Sequence, residues 1–328
     1  MLNGFCLAHY RFTILPESTI SLPMFNKGSI LRGAFGSSLR KLICTMGAEA
    51  VCETCMLKEK CAYVLIFNPI NLHPAKRLYN TPRGYVLKPS LDNEKEYSAD
   101  KPLTFDMILI GDRIEYLPYV IVPLMELSRA GLGFNRGKFT LHNIEVIKNG
   151  SAESIYDPSA NMVKNIRKQI TAEEIMHTAS RLNPHELTLH FLTPTRIKYN
   201  STGERGGSEL VRIPEFHHLI RRLRDRINAL SLAYCGAPLD LDFRGIADRA
   251  QSITIRNHHM EWLPLLRYRS FHPSLHDQSG FIGPITYAGD LAEFLPLLLL
   301  GEYTHVGEDA VFGSGWYKIM NLNEFKEE

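Results

Sequence analysis

One order of apolar patterns occurs twice along this chain, and that order limits the folds open to it. In the first half, Phe5 to Ile14 alternates apolar and polar positions, as a strand does. Leu31, Phe35, Leu39 and Leu42 then recur at helical spacing within Ser29 to Leu42. Strands are expected at Tyr63 to Ile70 and Leu103 to Ile110, a helix at Leu117 to Arg129 ending at Gly131, and a strand at Lys138 to Ile147. A polar stretch from Gly150 to Asn183, with a helix at Ala172 to Arg181, separates the halves. The second half reads strand (Glu186 to Leu192), helix (Pro214 to Cys235), strands (Ala250 to Ile255, Trp262 to Ser270), helix (Leu291 to Leu300) and a closing strand. Its long helix buries a stripe of Phe216, Leu219, Ile220, Leu223, Ile227 and Leu230.

Two halves of βαββαβ type predict an α+β chain of tandem ferredoxin-like (RRM-like) domains with antiparallel sheets, 1–183 and 184–328. At 328 residues, 45% hydrophobic and 22% charged, the chain can build two cores and is not disordered. Its net charge of +2 announces no global basic field, so any polyanion would be held by local patches. The apolar run Leu295 to Leu300 is too short to cross a bilayer and contains Pro296. The first residues lack the layout of a signal peptide, so a cytoplasmic protein without a membrane partner is expected.

Three stretches suggest contact with phosphates. The segment after the last helix carries His305, then Gly307, Gly313 and Gly315, then Trp316, Tyr317 and Lys318. Glycines there permit positive φ and close backbone approach, and successive amides can cradle phosphate. A P-loop lysine followed by Ser or Thr is absent, which favours an extended phosphate chain over a mononucleotide. The second stretch is the ridge Arg221, Arg222, Arg224 and Arg226 on the long helix, supported by Arg205, Arg212 and the 203–207 turn. The third, Gly131 to Phe139, sets Arg136 and Lys138 among glycines between helix and strand.

Cys44, Cys52, Cys55 and Cys61 supply four thiolates in one short stretch with a single CxxC pair. Zinc prefers such tetrahedral sulfur ligation, and a closed four-thiolate site would be structural. An iron–sulfur cluster is the alternative, though the spacing matches neither common ferredoxin pattern.

Taken together, Leu31-Arg32-Gly33-Ala34-Phe35-Gly36, the cysteine cluster, Leu117-Pro118-Tyr119-Val120, Gly131-Leu132-Gly133 and Val306-Gly307…Phe312-Gly313-Ser314-Gly315 resemble the CRISPR pre-crRNA-processing endoribonucleases of the RAMP superfamily. The cysteines would mark a subgroup. The resemblance implies two ferredoxin-like domains, a part in antiviral defence, and binding of CRISPR repeat RNA. It also implies one metal-independent cut, in which the ribose 2′-hydroxyl attacks the neighbouring phosphate. The products would carry a 2′,3′-cyclic phosphate and a 5′-hydroxyl, and no cofactor would be needed for catalysis. Many members place a catalytic histidine on the first helix, whereas Gly28 to Met46 here contains none. His305 is then the expected base or acid, with Arg32 or Arg40 stabilising charge. The alternative is a non-catalytic RAMP subunit that holds crRNA in an effector complex with other CRISPR subunits.

Overall fold

A computed structural model describes residues 1–47, 49–70, 81–200, 207–269 and 274–320. Two compact units divide the chain. One comprises Asn3–Thr171 and Ala229–Pro238, the other Met1–Leu2, Ala172–Asn228 and Leu239–Glu328. The boundary thus falls at Thr171/Ala172, and the helix Ala172–Ala179 goes with the C-terminal unit.

In the N-terminal unit the chain runs β1 (Cys6–Pro16), α1 (Lys27–Ile43), α2 (Ala62–Ile66), β2 (Tyr85–Lys88), β3 (Leu103–Ile110), α3 (Pro118–Ala130) and β4 (Phe139–Lys148). The strands pair in the order β2-β3-β1-β4, all antiparallel. Alternation on β1 buries Ala8, Tyr10, Phe12 and Ile14, while His9, Arg11 and Thr13 stay half-exposed on the other face. Two expectations fail here. Tyr63 to Ile70 is not a strand; Ala62–Ile66 is helical, its first turn closed by Leu65 N–H donating to Cys61 O. A short apolar run fits either period, and the turn ahead of it decides. Leu42, expected in the buried stripe of α1, is 44% exposed.

The C-terminal unit repeats the topology. It runs β5 (Glu186–Thr195), α4 (Phe216–Tyr234), β6 (Thr254–His258), β7 (Gly280–Ala288), α5 (Leu295–Thr304) and β8 (Tyr317–Met320). The order is β6-β7-β5-β8, again antiparallel. The predicted stripe of α4 is buried throughout. The expected strand Trp262 to Ser270 divides into Glu261–Leu263, paired with β7, and Leu266–Arg269, paired with Ser274–Asp277; Ser270 lies outside the described residues. β7 escaped the sequence reading because Gly280, Gly283 and Pro284 disguise it. Gly283 sits at φ 105° beneath the His259 carbonyl, where a Cβ would come within 2.3 Å. The last helix starts four residues later than expected, with Pro296 in its first turn.

Candidate functional site

The first helix gathers a cluster that sequence spacing only half revealed. Phe35, Tyr63, Phe67 and Tyr85 pack ring against ring in the N-terminal unit, with centroids 5.4–6.5 Å apart. Gly36 makes this possible. A Cβ there would lie 1.9 Å from the Phe67 ring, so the glycine is a slot for that phenyl group. On the seated ring rests the Arg32 guanidinium, 3.9 Å from its centroid. Arg40, two turns along, lies 5.8 Å from the Tyr63 ring and donates to the Ala50 carbonyl. Arg83 completes the group by donating Nε–H to the Phe67 carbonyl at 2.7 Å.

Three arginines therefore gather around these rings, and burial weighs on the charge of Arg32. Desolvation lowers the pKa of Arg32, with nearby Arg83 adding to the effect, and Tyr85 provides the partial compensation. Burial raises the phenols of Tyr63 and Tyr85, while Arg32 and Arg83 pull both back. A partly buried set of arginines laid against aromatic rings presents pre-oriented guanidinium groups suited to an anion. Gly33 bears on the same question. It is exposed in the middle of α1 and a Cβ there would meet nothing within 4 Å. A helix-interior glycine costs about 0.5–1 kcal/mol relative to alanine, and no packing within the protein accounts for it.

The glycine-rich segment of the C-terminal unit is wired differently from the expected phosphate cradle. Its amides are engaged by the protein itself: Val306 N–H donates to Gly315 O, Glu308 to Arg196 O, Phe312 to Asp309 O, Gly313 to Ala310 O and Gly315 to Pro194 O. Trp316 N–H donates to the Thr193 hydroxyl, which in turn donates to Gly313 O. The glycines serve close packing of backbone on backbone. A Cβ on Gly307 would lie 2.4 Å from Arg196 O, and one on Gly315 1.7 Å from Val306 O. Arg196 also holds Glu308, which Lys198 shares, and Asp309 meets His276 and Gln278. His305 ends α5 at φ 59°, its N–H donating to Gly301 O. Its ring is fully buried, stacked on Trp316, with Nδ1 at 3.1 Å from Ser314 O.

The ridge on α4 is likewise committed to internal partners. Arg222 donates to Lys198 O, Arg224 to Asp225 and Phe243 O, and Arg226 to Thr304 O at the end of α5. Arg221 lies 5.8 Å from the Tyr199 ring, and Arg212 stacks on Trp262 at 4.7 Å. Lys318 is exposed on β8. Arg205 and its neighbours at 203–206 fall outside the described residues.

The cysteines expected to hold a metal are not drawn into one tight set of donors. Among the described residues, the one set of three Cys, His, Asp or Glu donors lying within 4.8 Å of one another is Glu215, His217 and His218. Cys44, Cys52, Cys55 and Cys61 are all half-exposed; Cys61 lies near enough to act on Cys52, but no three of the four sulfurs come within 4.8 Å of one another. The Glu215–His217–His218 set could coordinate a metal, although Arg221 and the positive amino end of α4 oppose a cation there. Desolvation, then the neighbouring His217 and Arg221, depress His218 to about 4.

Fold and site together define an α+β protein whose antiparallel sheets resemble those of ferredoxin-like domains, with arginines gathered around an aromatic cluster at its first helix. Residues 5–169, just over half of the chain, match the family AF_1859_N, described as an N-terminal domain, and the chain belongs to that family. Residues 189–317 match the family model described as CRISPR-associated endoribonuclease Cas6. A curated relative, an uncharacterized protein of Archaeoglobus fulgidus, is 25% identical over 305 residues, covering 92% of this chain and 93% of the relative. Among solved structures, a Cas6 product complex gives a TM-score of 0.57 at 14% identity, covering 96% of this chain and 100% of that one. Thermus thermophilus Cas6 gives 0.53 at 11% identity, with coverages of 96% and 99%. A chain in a partial Cas6-RT-Cas1–Cas2 complex gives 0.60 at 13% identity, covering 98% of this chain and 47% of that longer one. These structural likenesses speak to the fold. No helix among the described residues is long and apolar enough to cross a membrane.

Proposed function

We propose that this protein is a CRISPR RNA maturation endoribonuclease that binds repeat RNA and cuts it once. The 2′-hydroxyl of one ribose attacks the adjoining phosphate, giving 2′,3′-cyclic phosphate and 5′-hydroxyl ends. RNA carries its own nucleophile, so the protein must position the phosphate, stabilise the phosphorane and move two protons. The observation that carries this reading is the convergence of Arg32, Arg40 and Arg83 around the aromatic floor of α1. Arginines held in a partly desolvated site are pre-oriented for a phosphate gaining negative charge. The open face at Gly33 lets an RNA backbone approach the helix closely.

His305 takes a supporting part in this reading. A buried ring stacked on Trp316 fixes the turn after α5, and a proton-transfer role would require the ring to leave that position. Arg136, Lys138 and Lys318 remain proposed phosphate contacts, as do Arg221, Arg222 and Arg224 where their internal bonds are exchanged. No metal enters the chemistry.

A second reading is favoured by one specific observation: α1 carries no histidine and His305 is buried. It is a non-catalytic RAMP subunit that binds crRNA beside other CRISPR subunits. Labelled repeat RNA incubated with the protein in EDTA separates the two. One cut with a cyclic-phosphate end supports the nuclease; tight binding with the RNA left whole supports the subunit.

A further inference from the structure

The turn between α3 and β4 is built to hold its tip still. Leu132 and Gly137 exchange both backbone bonds at 2.9 Å. Phe134 N–H donates to Ser21 O, and Lys138 N–H donates to the Ser18 hydroxyl. Asn135 fastens the tip from both ends of its amide: Oδ1 accepts from Ser21 N–H at 2.9 Å and Nδ2 donates to Thr19 O at 2.6 Å. Gly133 and Gly137 let the turn lie against residues 19–21, because a Cβ at either would fall 2.2–2.4 Å from a carbonyl oxygen.

On this fixed turn Phe134 is 70% exposed and touches no other aromatic ring or cation among the described residues. Two positions on, Arg136 is exposed, held at φ 51°, and makes no ion pair or side-chain hydrogen bond among the described residues. From Gly131 to Lys138 the turn contains no acid. A solvent-facing phenyl ring is normally kept out of water or left on a mobile loop, and here side-chain and backbone bonds hold it outward. An exposed apolar ring two residues from an exposed arginine on the same turn matches an unpaired nucleobase and its phosphate.

We propose that Phe134 is a stacking platform for an unpaired base of RNA, with Arg136 on the adjoining phosphate. This rests on the RNA-binding reading above and adds a base subsite to it. Because the turn is pre-formed, stacking costs little ordering of the protein. A paired base offers no free face, so the subsite selects single-stranded RNA over duplex.

The test measures binding of the full chain to a labelled unpaired oligoribonucleotide and to a duplex by fluorescence anisotropy. Phe134→Ala is expected to weaken single-strand binding about tenfold or more and to leave the salt slope unchanged, since stacking releases no counterions. Phe134→Trp is expected to keep the affinity, and its added indole emission to be quenched as RNA binds. Arg136→Ala should flatten the salt slope by about one phosphate contact. Wild-type-like affinity of Phe134→Ala for RNA that the native protein binds, or indole emission unmoved at saturation, would overturn the subsite and leave the nuclease reading intact. If the native protein bound no RNA even at low salt, both would fall together.

Discussion

The imidazole of His305 lies flat on the indole of Trp316, with centroids 5.8 Å apart and planes 7° from parallel. The stack closes a turn in which backbone amides and carbonyls answer one another across three glycines. Replacing His305 by alanine should therefore lower the melting temperature by several degrees, and RNA affinity and cleavage rate should fall together. Thermal denaturation, anisotropy and single-turnover kinetics on one preparation check this. A rate loss at unchanged stability and affinity would make the ring a proton-transfer group instead.

Gly33 and Gly36 stand one turn apart on α1 and should respond in opposite directions. Gly36→Ala pushes a methyl into the Phe67 ring, unseating the floor beneath Arg32, and should destabilise by about 2 kcal/mol or more. Gly33→Ala meets open space and should stabilise the free protein by about 0.5–1 kcal/mol, while weakening RNA binding. Urea denaturation and anisotropy distinguish the two effects.

Charge at the arginine cluster should be replaceable only in part. Arg32→Lys keeps the charge but loses the planar stack on Phe67, so cleavage should slow about tenfold with most of the affinity retained. Arg83→Ala should slow it as well, in spite of lying far from α1 in sequence. Rates equal to wild type for both variants would remove the cluster from the chemistry.

Acid sensitivity should trace to the other face of the N-terminal sheet. Asp106 is bonded by His9 at 2.8 Å and by both Nε and Nη2 of Arg11. Burial opposes its ionisation, but these bonds win and hold the carboxyl at about 2, below its ordinary 3.8. A depressed carboxyl contributes stability that is complete above pH ~4 and is lost as pH falls through about 2, here about 2 kcal/mol. His9 is also depressed, chiefly by burial, so some loss begins as pH drops through its ordinary 6.5. Asp106→Asn should be less stable at pH 7 and lose less on acidification, as measured by urea midpoints across pH.

Most of the fold was legible because periodicity is local. The stripe Phe216 to Leu230 and the alternation on β1 are written in consecutive residues, and both are buried as expected. β7 was not legible: a central strand that bends at Gly283 and carries Pro284 lacks the strand signal, and only pairing with β5 and β6 defines it. The helix Ala62–Ile66 was misread for a related cause, its short apolar run fitting either period.

For the site, the sequence by itself determined which residue types are present: arginines on the first helix, glycines after the last, a run of cysteines. Tertiary structure decided what they touch. It brought Arg83 from another segment to the ring on which Arg32 rests. It also bonded several amides of the glycine-rich segment within the protein, beside the buried His305. The physical reason is that hydrogen-bond partners and burial are properties of neighbours in space, and a glycine permits close approach without naming what approaches.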